Sequence, residues 1–420
     1  MTRPTRSVLN KHSKTCSLVL EGNEIKFRLQ AERIETGTLV HVDWVRFTCL
    51  LRNAPMPGIE TLFPTPTPDV DMEPVSEQER TERGQRLLRL RKLLAKLPNA
   101  EFAPSAQAME LAERVAETLG EDFTVAPELR KGHDFYRHRW SIERNGSEVG
   151  WVGFLASGDS PRQQAQAKTM HVNLYGTACT FAQNGWRDHL ANLIDDVGGT
   201  LTRIDLALDF FEGITGGMER IKRDYENGLC DVAGKRPKCN MVGDWCNGKA
   251  RSFYMGSKEA GKQTNFYEKG HQLFGEKDAT NWLRAELRYG NKLRVLNTDM
   301  LRRPQDYFAG ASDYHAAILR EAKPATQALP ESVPCEAKLA AQTIEAEVTR
   351  NVRWLRDVAA PSMALAFEHL GADAFLDMVT NQNVPGRLRR FKQTEIRRAY
   401  SSAHQRTRKA ASAGHAFAQA

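Results

Sequence analysis

Three short runs of this 420-residue chain carry side chains able to do chemistry, at spacings that a strand would hold in place. In Leu201 to Glu212, LTRIDLALDFFE, Ile204, Leu206, Leu208 and Phe210 alternate with Arg203, Asp205, Ala207 and Asp209. A period of two is that of a strand with one face on a core, so the pattern predicts two carboxylates on an uncovered polar face. Asp is depleted in strands, and like charges on one face repel unless a cation lies near. A divalent-metal or acid-base role follows; a solvated face on which Arg203 pairs an acid fits the pattern equally. In TNFYEKG, Asn265, Tyr267 and Lys269 share one face and Phe266 takes the other. A phenol is a weak nucleophile at neutral pH, and an ammonium beside it would favour the phenolate and steady a charged transition state. The alternative is an edge tyrosine with a solvated hydroxyl. In WLRAELRY, Arg284, Glu286 and Arg288 oppose Leu283, Ala285 and Leu287. Glu286 is either a salt-bridged strand residue or, with Asp205 and Asp209, the third acid of an oxygen-rich site suited to Mg²⁺ or Mn²⁺.

These runs need a sheet to hold them, and the rest of the chain supplies its pieces. Leu39 to Leu51 reads as a strand with Asp43 inside it, and two strand-like runs flank Asn145-Gly146, a hairpin signal. His171 to Phe181 and Arg251 to Gly256 read as further strands. Trp186 to Val197 is predicted as a helix closed by Gly198 and Gly199, and Met218 to Leu229 as a second amphipathic one. From Asn53 to Glu77 the chain turns to Pro, Thr and acids, a composition that packs poorly. Two helices follow, one with Leu87, Leu90, Leu94 and Leu97 on a stripe, the other opened by Ser105. Strands and helices mix without strict alternation, which predicts an α+β fold with a mixed, largely antiparallel sheet, followed by a helical C-terminal domain. The expected organisation is a basic leader over 1–38, a main domain over 39–297 with a Pro-rich loop and helical insertion at about 53–130, a helical domain over 298–386, and a basic tail over 387–420.

Composition narrows the class. With 59 Lys and Arg against 52 Asp and Glu, the net charge of +7 suits a polyanionic partner, nucleic acid above all. Arg387, Arg389, Arg390 and Lys392 open a basic run with Glu395 as its one acid, suited to phosphate contacts; a solvated tail is the alternative. No long apolar run resembles a membrane span, and the basic N-terminus lacks the apolar core of a secretory signal, so cytoplasmic residence is expected. Seven scattered cysteines make no disulfide framework, and Cys230, Cys239 and Cys246 lack zinc-finger spacing.

The order and spacing of the motifs are more specific than any one of them. An R-x-D-x-x-x-D strand (RIDLALD, Arg203 to Asp209) is followed by FYMGS (Phe253 to Ser257), YEK (Tyr267 to Lys269) and RAEL (Arg284 to Leu287). That series, with VDW at Val42 to Trp44 and NLYGTAC near Gly176 upstream, resembles the replication initiation factor family, the rolling-circle replication initiators of plasmids and filamentous phages. The resemblance covers roughly Val42 to Val295. It implies a site- and strand-specific endonuclease that cuts origin DNA by tyrosine attack, keeps a 5′-phosphotyrosine, leaves a 3′-hydroxyl for the host polymerase, and later rejoins the strand. Carried over, Tyr267 is the nucleophile and Lys269 its neighbouring cation; Asp205, Asp209 and Glu286 hold the divalent metal. Arg203, Arg284 and Arg288 flank these positions as DNA contacts. Tyr254 in FYMGS is a second candidate nucleophile. Origin DNA is the expected partner, with host helicase and polymerase and a second copy of the chain as further ones, and no membrane. No two histidines stand closer than His133 and His138, so the His-hydrophobic-His metal pair of the related HUH endonucleases is missing. A non-catalytic DNA-binding regulator or replication accessory protein is the competing reading, and a nuclease that hydrolyses by water a third.

Overall fold

The computed structural model describes residues 22–57, 77, 81, 85, 99–275, 280–322, 330–379, 388–389, 391–397 and 399–400. The leader before 22, the Pro-rich loop over 58–76, the Leu87 to Leu97 stripe, Arg387, Arg390 and the tail after 400 lie outside the described residues. The chain divides into two compact units, the first comprising 1–292 and 296–335, the second 293–295 and 336–420.

The first unit is built on one 11-stranded sheet. In chain order the strands are β1 (Val40–Leu50), β2 (Phe123–Val125), β3 (Arg130–Lys131), β4 (Tyr136–Arg144), β5 (Ser147–Ala156), β6 (Thr169–Leu174), β7 (Thr200–Phe210), β8 (Cys239–Asp244), β9 (Lys249–Ser257), β10 (Lys262–Glu268) and β11 (Leu283–Gly290). Their spatial order is β2-β4-β5-β6-β1-β7-β11-β10-β9-β8, with β3 beside β4, and each pairing is antiparallel. The α+β class with a largely antiparallel sheet is therefore the architecture observed. The helices are α1 over 22–36, α2 (Asn99–Leu119), α3 (Pro161–Ala167), α4 (Gly176–Phe181), α5 (Trp186–Asp196), α6 (Gly217–Glu226), α7 (Lys269–Phe274), α8 (Asp299–Arg302), α9 (Pro304–Ala309) and α10 (Asp313–Ala322).

One side of the sheet carries the core. Val40, Val42, Val45 and Phe47 from β1, Ile204, Leu206 and Leu208 from β7, Phe266 from β10 and Leu283, Ala285 and Leu287 from β11 are all buried in one cluster. Leu111, Val115 and Leu119 of α2 and Leu190 and Ile194 of α5 belong to the same cluster, so α2 is an integral part of the core rather than an insertion beside it. At roughly 1.5–3 kcal/mol for each large apolar side chain, this burial is what holds the strands in register.

The other side is polar, and it differs from expectation in one respect that matters. β7 lies between β1 and β11 in the middle of the sheet. Asp205 and Asp209 are 0% and 1% exposed instead of lying on an uncovered face. Leu29, Phe211 and Trp282 form a small cluster, joined by Leu273 and Phe274 of α7, against one end of this polar face. Neighbouring arginines, described below, cover the rest.

Three boundaries also shift. β6 stops at Leu174 and α4 takes over at Gly176, so His171 to Phe181 is half strand and half helix. Cys239–Asp244, between the Met218 to Leu229 stretch and the strand at Arg251, adds β8 to the edge of the sheet. The helices over 299–322 belong to the first unit, where Met300, Leu301, Phe308 and Ile318 enter the main core. Amphipathic periodicity marks these helices as packed but not against what.

The second unit is helical. α11 (Lys338–Trp354) leads through a π-helical turn (Leu355–Ala359) into α12 (Ala360–Val379), which kinks at Gly371, where φ is 75°. Ile344 and Val348 pack with Leu388 and Ala399 in a small core of its own. The Glu395 carboxylate accepts from the Lys392 backbone N–H (2.7 Å), capping the short helix that follows.

Candidate active site on the polar sheet face

The antiparallel register sets the chemistry-bearing side chains in rows. Tyr267 of β10 faces Ser252 of β9 and Arg284 of β11, and Arg284 faces Asp209 of β7. One step along, Asn265 faces Tyr254 and Glu286, and Glu286 faces Ala207. In the third row Arg288 faces Asp205, which in turn faces Trp44 of β1. Directly opposed residues on antiparallel strands share a face, so all of these lie on the polar side. On β1 the pairing slips between Val42 and Trp44. Asp43 is the extra residue of this bulge, which lets both Asp43 and Trp44 turn to the polar side.

The floor of the site is a buried ion network centred on Arg284, itself 1% exposed. Its Nε and Nη2 donate to the two Asp209 oxygens at 2.7 and 3.0 Å, and its Nη1 donates to Asp43 Oδ1 at 2.7 Å. Trp282 Nε1 adds a 2.7 Å bond to Asp209 Oδ1, and His41 stands 3.4 Å from Asp209 and 3.3 Å from Asp43. Burial alone would raise Asp209, but Arg284, His41 and Arg33 hold it below the usual carboxylate range. Asp43 is likewise held well below that range, against burial, by Arg284, His41 and Lys269. Arg284 is thus a structural cation, and its assignment as a DNA contact is corrected: a guanidinium this deep, with Nε, Nη1 and Nη2 each donating to one of two carboxylates, is turned inward and away from a phosphate.

Above this floor sits Tyr267, whose hydroxyl donates to Glu286 Oε2 at 3.2 Å. Burial, aided by Glu286, Asp43 and Asp209 and opposed by Arg284, pushes the phenol well above its ordinary pKa. The activation by Lys269 expected from sequence is therefore not built into the resting site. β10 ends at Glu268, and Lys269 opens α7 rather than continuing the strand. Its Nζ lies 5.8 Å from the Tyr267 ring centre and donates to Gln272 Oε1 at 3.0 Å. Burial and the nearby Arg284 lower Lys269 to about 8. Glu286 moves the other way: burial, with Asp43 and Asp205, raises it to about 7 against the pull of Arg284 and Arg288. A carboxylate and an ammonium with values near neutrality, both beside a tyrosine, are matched to proton transfer.

The three acids assigned to a metal do not converge. Asp205 and Asp209 are four residues apart on one strand, about 13 Å at strand rise. Asp205 is held by Arg203, through Nε at 2.9 Å and a close Nη2 contact, and by Arg288 at 3.1–3.3 Å. Asp209 is filled by Arg284 and Trp282, and Glu286 is engaged by Tyr267 and, at 3.4 Å, by Arg288. Among the described residues no three His, Cys, Asp or Glu side chains could hold a metal ion, Cys230, Cys239 and Cys246 included. Asp205, Asp209 and Glu286 thus do not fit one Mg²⁺ or Mn²⁺ here, because a cation of the protein already sits against each.

Of the remaining basic residues, Arg203 lies over the Trp44 ring at 4.4 Å and Arg288 bridges Asp205 and Glu286; both are partly exposed at the open end of the face. Arg389 and Lys392 belong to the second unit. Sequence reasoning missed the roles of Asp43, His41 and Trp282. An Asp inside a strand of Val, Trp and Phe was the available signal for Asp43; the other two had none.

The Gly of the FYMGS run has a steric cause. Gly256 adopts φ +79°, and a Cβ there would stand 2.5 Å from the Lys262 carbonyl oxygen across the β9–β10 pair.

The fold thus brings Tyr267, Glu286, Arg284 and Lys269 together on the polar face of one sheet, a phenol beside two groups that titrate near neutrality. Residues 199–380, from β7 into α12, match the family described as replication initiation factor, so the resemblance carried by the ordered motifs is shown over this part of the chain. Among solved structures, the chain is similar to a rolling circle replication initiator protein from Geobacillus stearothermophilus at 16% identity and a TM-score of 0.38, over 71% of this chain and 92% of that one. No curated protein matches. No helix among the described residues is long and apolar enough to cross a membrane.

Proposed function

We propose that the chain initiates rolling-circle replication by nicking one strand of its origin DNA, with Tyr267 as nucleophile. The observation that carries this reading is the hydrogen bond from the Tyr267 hydroxyl to Glu286, on a face that also presents Lys269. The phenol holds its proton at rest, so attack requires an acceptor at the moment the O–P bond forms. Glu286, at about 7, is ionised enough near neutral pH to take that proton and basic enough to keep it. As the P–O3′ bond breaks, Lys269, at about 8, can supply a proton to the departing 3′-oxygen and balance charge on the phosphoryl oxygens. The Arg284 network acts below the reaction, tying β11 to β7 and β1 and so holding the strand that carries Glu286. The phosphotyrosine conserves the energy of the cleaved bond, so rejoining needs no nucleotide. Arg203 and Arg288, at the open end, are the DNA contacts on this face, and Arg389 and Lys392 supply phosphate contacts from the second unit. A polymerase that extends the 3′-hydroxyl and a helicase that opens the duplex are the partners this reaction requires.

The test is incubation of the full chain with end-labelled single-stranded oligonucleotides tiling the replicon that encodes it, in Mg²⁺ and in Mn²⁺, followed by denaturing electrophoresis. A labelled protein-sized band that maps to Tyr267 is expected. Cleaved ends without an adduct would point to water as the nucleophile. Binding without cleavage would point to a DNA-binding regulator.

A further inference from the structure

The polar face of the sheet continues past β7 onto β1 and β6, where aromatic rings and guanidinium groups alternate. Trp44 of β1 faces Asp205, and its ring is fixed from several sides. Its Nε1 donates to Asn173 Oδ1 at 2.7 Å, and Arg46 Nε donates to the same oxygen at 3.0 Å. Tyr175 stands 5.1 Å away, centre to centre, its hydroxyl donating to Glu148 at 3.2 Å. The Arg203 guanidinium lies over the Trp44 ring at 4.4 Å and is held there by its bonds to Asp205. Trp44, Tyr175, Arg46 and Arg203 all keep part of their surface in solvent, whereas Asp205 and Asn173, which anchor them, are buried. The layer thus turns rings and guanidinium groups outward. Beyond Arg46, whose Nη1 donates to Asp134 at 3.1 Å, two successive non-glycine residues hold a positive φ, Asp134 at 51° and Phe135 at 72°. A bulky residue is strained there, and the loop is pinned in that shape by bonds from the Ser157 N–H to the Phe135 carbonyl and from the Tyr136 N–H to the His133 carbonyl, both 2.9 Å. The outcome is a Phe135 ring left 58% exposed, a position in which an apolar side chain gains little from folding.

Building on the nicking reading, we propose that this layer is a base-stacking track for the single strand that flanks the cut, with Trp44 under its Arg203 cover as one platform and Phe135 as a second, further out. Aromatic faces interleaved with cations hold single-stranded nucleic acid because every base has a π-face and every nucleotide a phosphate. A guanidinium layered on an indole is itself a flat stacking surface. The bases of a duplex already stack on one another, so such rings serve a strand that has been opened. Trp44 lies three strands from Tyr267 and four residues away from its row along β11, about 20 Å of backbone at strand spacing and rise. At about 3.4 Å per stacked nucleotide that is roughly six nucleotides, and fewer where the strand is extended. The base on Trp44 therefore belongs within about six nucleotides of the scissile phosphate, and the base on Phe135 further from it. Stacking tolerates any base, so the track measures position rather than sequence: with one base fixed, the strand presents one phosphodiester to Tyr267. Trp44 is in this sense a positioning residue for the cut.

The experiment reads binding and cutting separately. The full chain is titrated in EDTA with the tiling single-stranded oligonucleotides, each in versions that carry one 2-aminopurine or one abasic residue, and the same set in Mn²⁺ locates the cut. For the oligonucleotide that is cut, 2-aminopurine fluorescence should be quenched at a position within about six nucleotides of the cut. An abasic residue there should weaken binding by about 5–150-fold, the worth of one stacked base. In Trp44→Leu both effects should vanish at that position while abasic losses elsewhere persist, and in Trp44→Phe, which keeps a ring, both should remain. Phe135→Ser should remove a second such position, further from the cut than the first. The abasic scan alters only the DNA, so the parent chain decides the matter even where a variant fails to fold. A scan of the parent with no position-specific loss, or a loss that Trp44→Leu retains unchanged, would overturn the inference and leave the nicking reading intact. A Trp44-dependent position in EDTA with no adduct in Mn²⁺ would overturn the nicking reading and keep the track as the binding surface of a DNA-binding protein.

Discussion

Glu286 is asked to be a base in a place that disfavours its charge, and replacing it with Gln should expose both sides of that bargain. In the folded chain its carboxyl sits at about 7 instead of the ordinary 4.5. That difference corresponds to about 3 kcal/mol at most. The sign follows from proton counting: between the two values the folded chain keeps a proton that the unfolded chain has released, so stability falls as pH rises through this window. Above about 7 the folded state carries the full cost; below about 4.5 it carries none. Gln has the same shape and can still accept from Tyr267, so Glu286→Gln should raise stability by roughly 1–3 kcal/mol at pH 8 and by nothing measurable at pH 4. Adduct formation should meanwhile fall by about 10²–10⁴-fold, the usual worth of a positioned base. Urea unfolding of both proteins at pH 4, 6 and 8, beside single-turnover nicking, measures each side. A variant less stable than the parent by the same amount at all three pH values would refute the account of Glu286 as a destabilised, proton-accepting carboxylate.

The remaining predictions concern its neighbours. Tyr267→Phe should abolish the Tyr267 adduct while changing affinity for the tiled oligonucleotides less than about twofold, because one hydroxyl is lost from a surface that binds through many phosphate contacts; filter binding beside the nicking gel checks this. Arg284→Met should cost about 3–5 kcal/mol in urea unfolding, since it strands two buried carboxylates; a loss under 1 kcal/mol would mean that the Asp209 and Asp43 contacts do not hold the sheet. The single-turnover nicking rate should rise with pH through about 7, as Glu286 ionises, and fall through about 8, as Lys269 loses its proton; a flat profile from pH 6 to 9 would remove both from proton transfer. Gly256→Ala should destabilise by on the order of 1–3 kcal/mol, because the Cβ meets the Lys262 carbonyl and the residue must hold a positive φ. Its nicking rate should drop with it, since the β9–β10 register that holds Tyr267 is what shifts.

What the amino-acid sequence determined by itself was local and periodic. Alternation in LTRIDLALDFFE, TNFYE and WLRAELRY set which side chains share a face, and the Asn145-Gly146 hairpin joins β4 to β5 as its turn chemistry requires. The order of the motifs also carried the family resemblance now matched over residues 199–380. What only the tertiary structure decided was what each polar face meets. Period two says that Asp205 and Asp209 point the same way; it cannot say that β11 docks beside β7 in a register that sets Arg288 against one and Arg284 against the other. That pairing, between residues some 75 to 83 positions apart in the chain, turned two apparent metal ligands into the acids of ion pairs and turned an apparent DNA contact into a buried strut. The same non-local register placed Glu286 against Tyr267, and Tyr254 one diagonal away. Strand periodicity is a property of neighbours in sequence, whereas charge pairing, desolvation and therefore proton affinity are properties of neighbours in space.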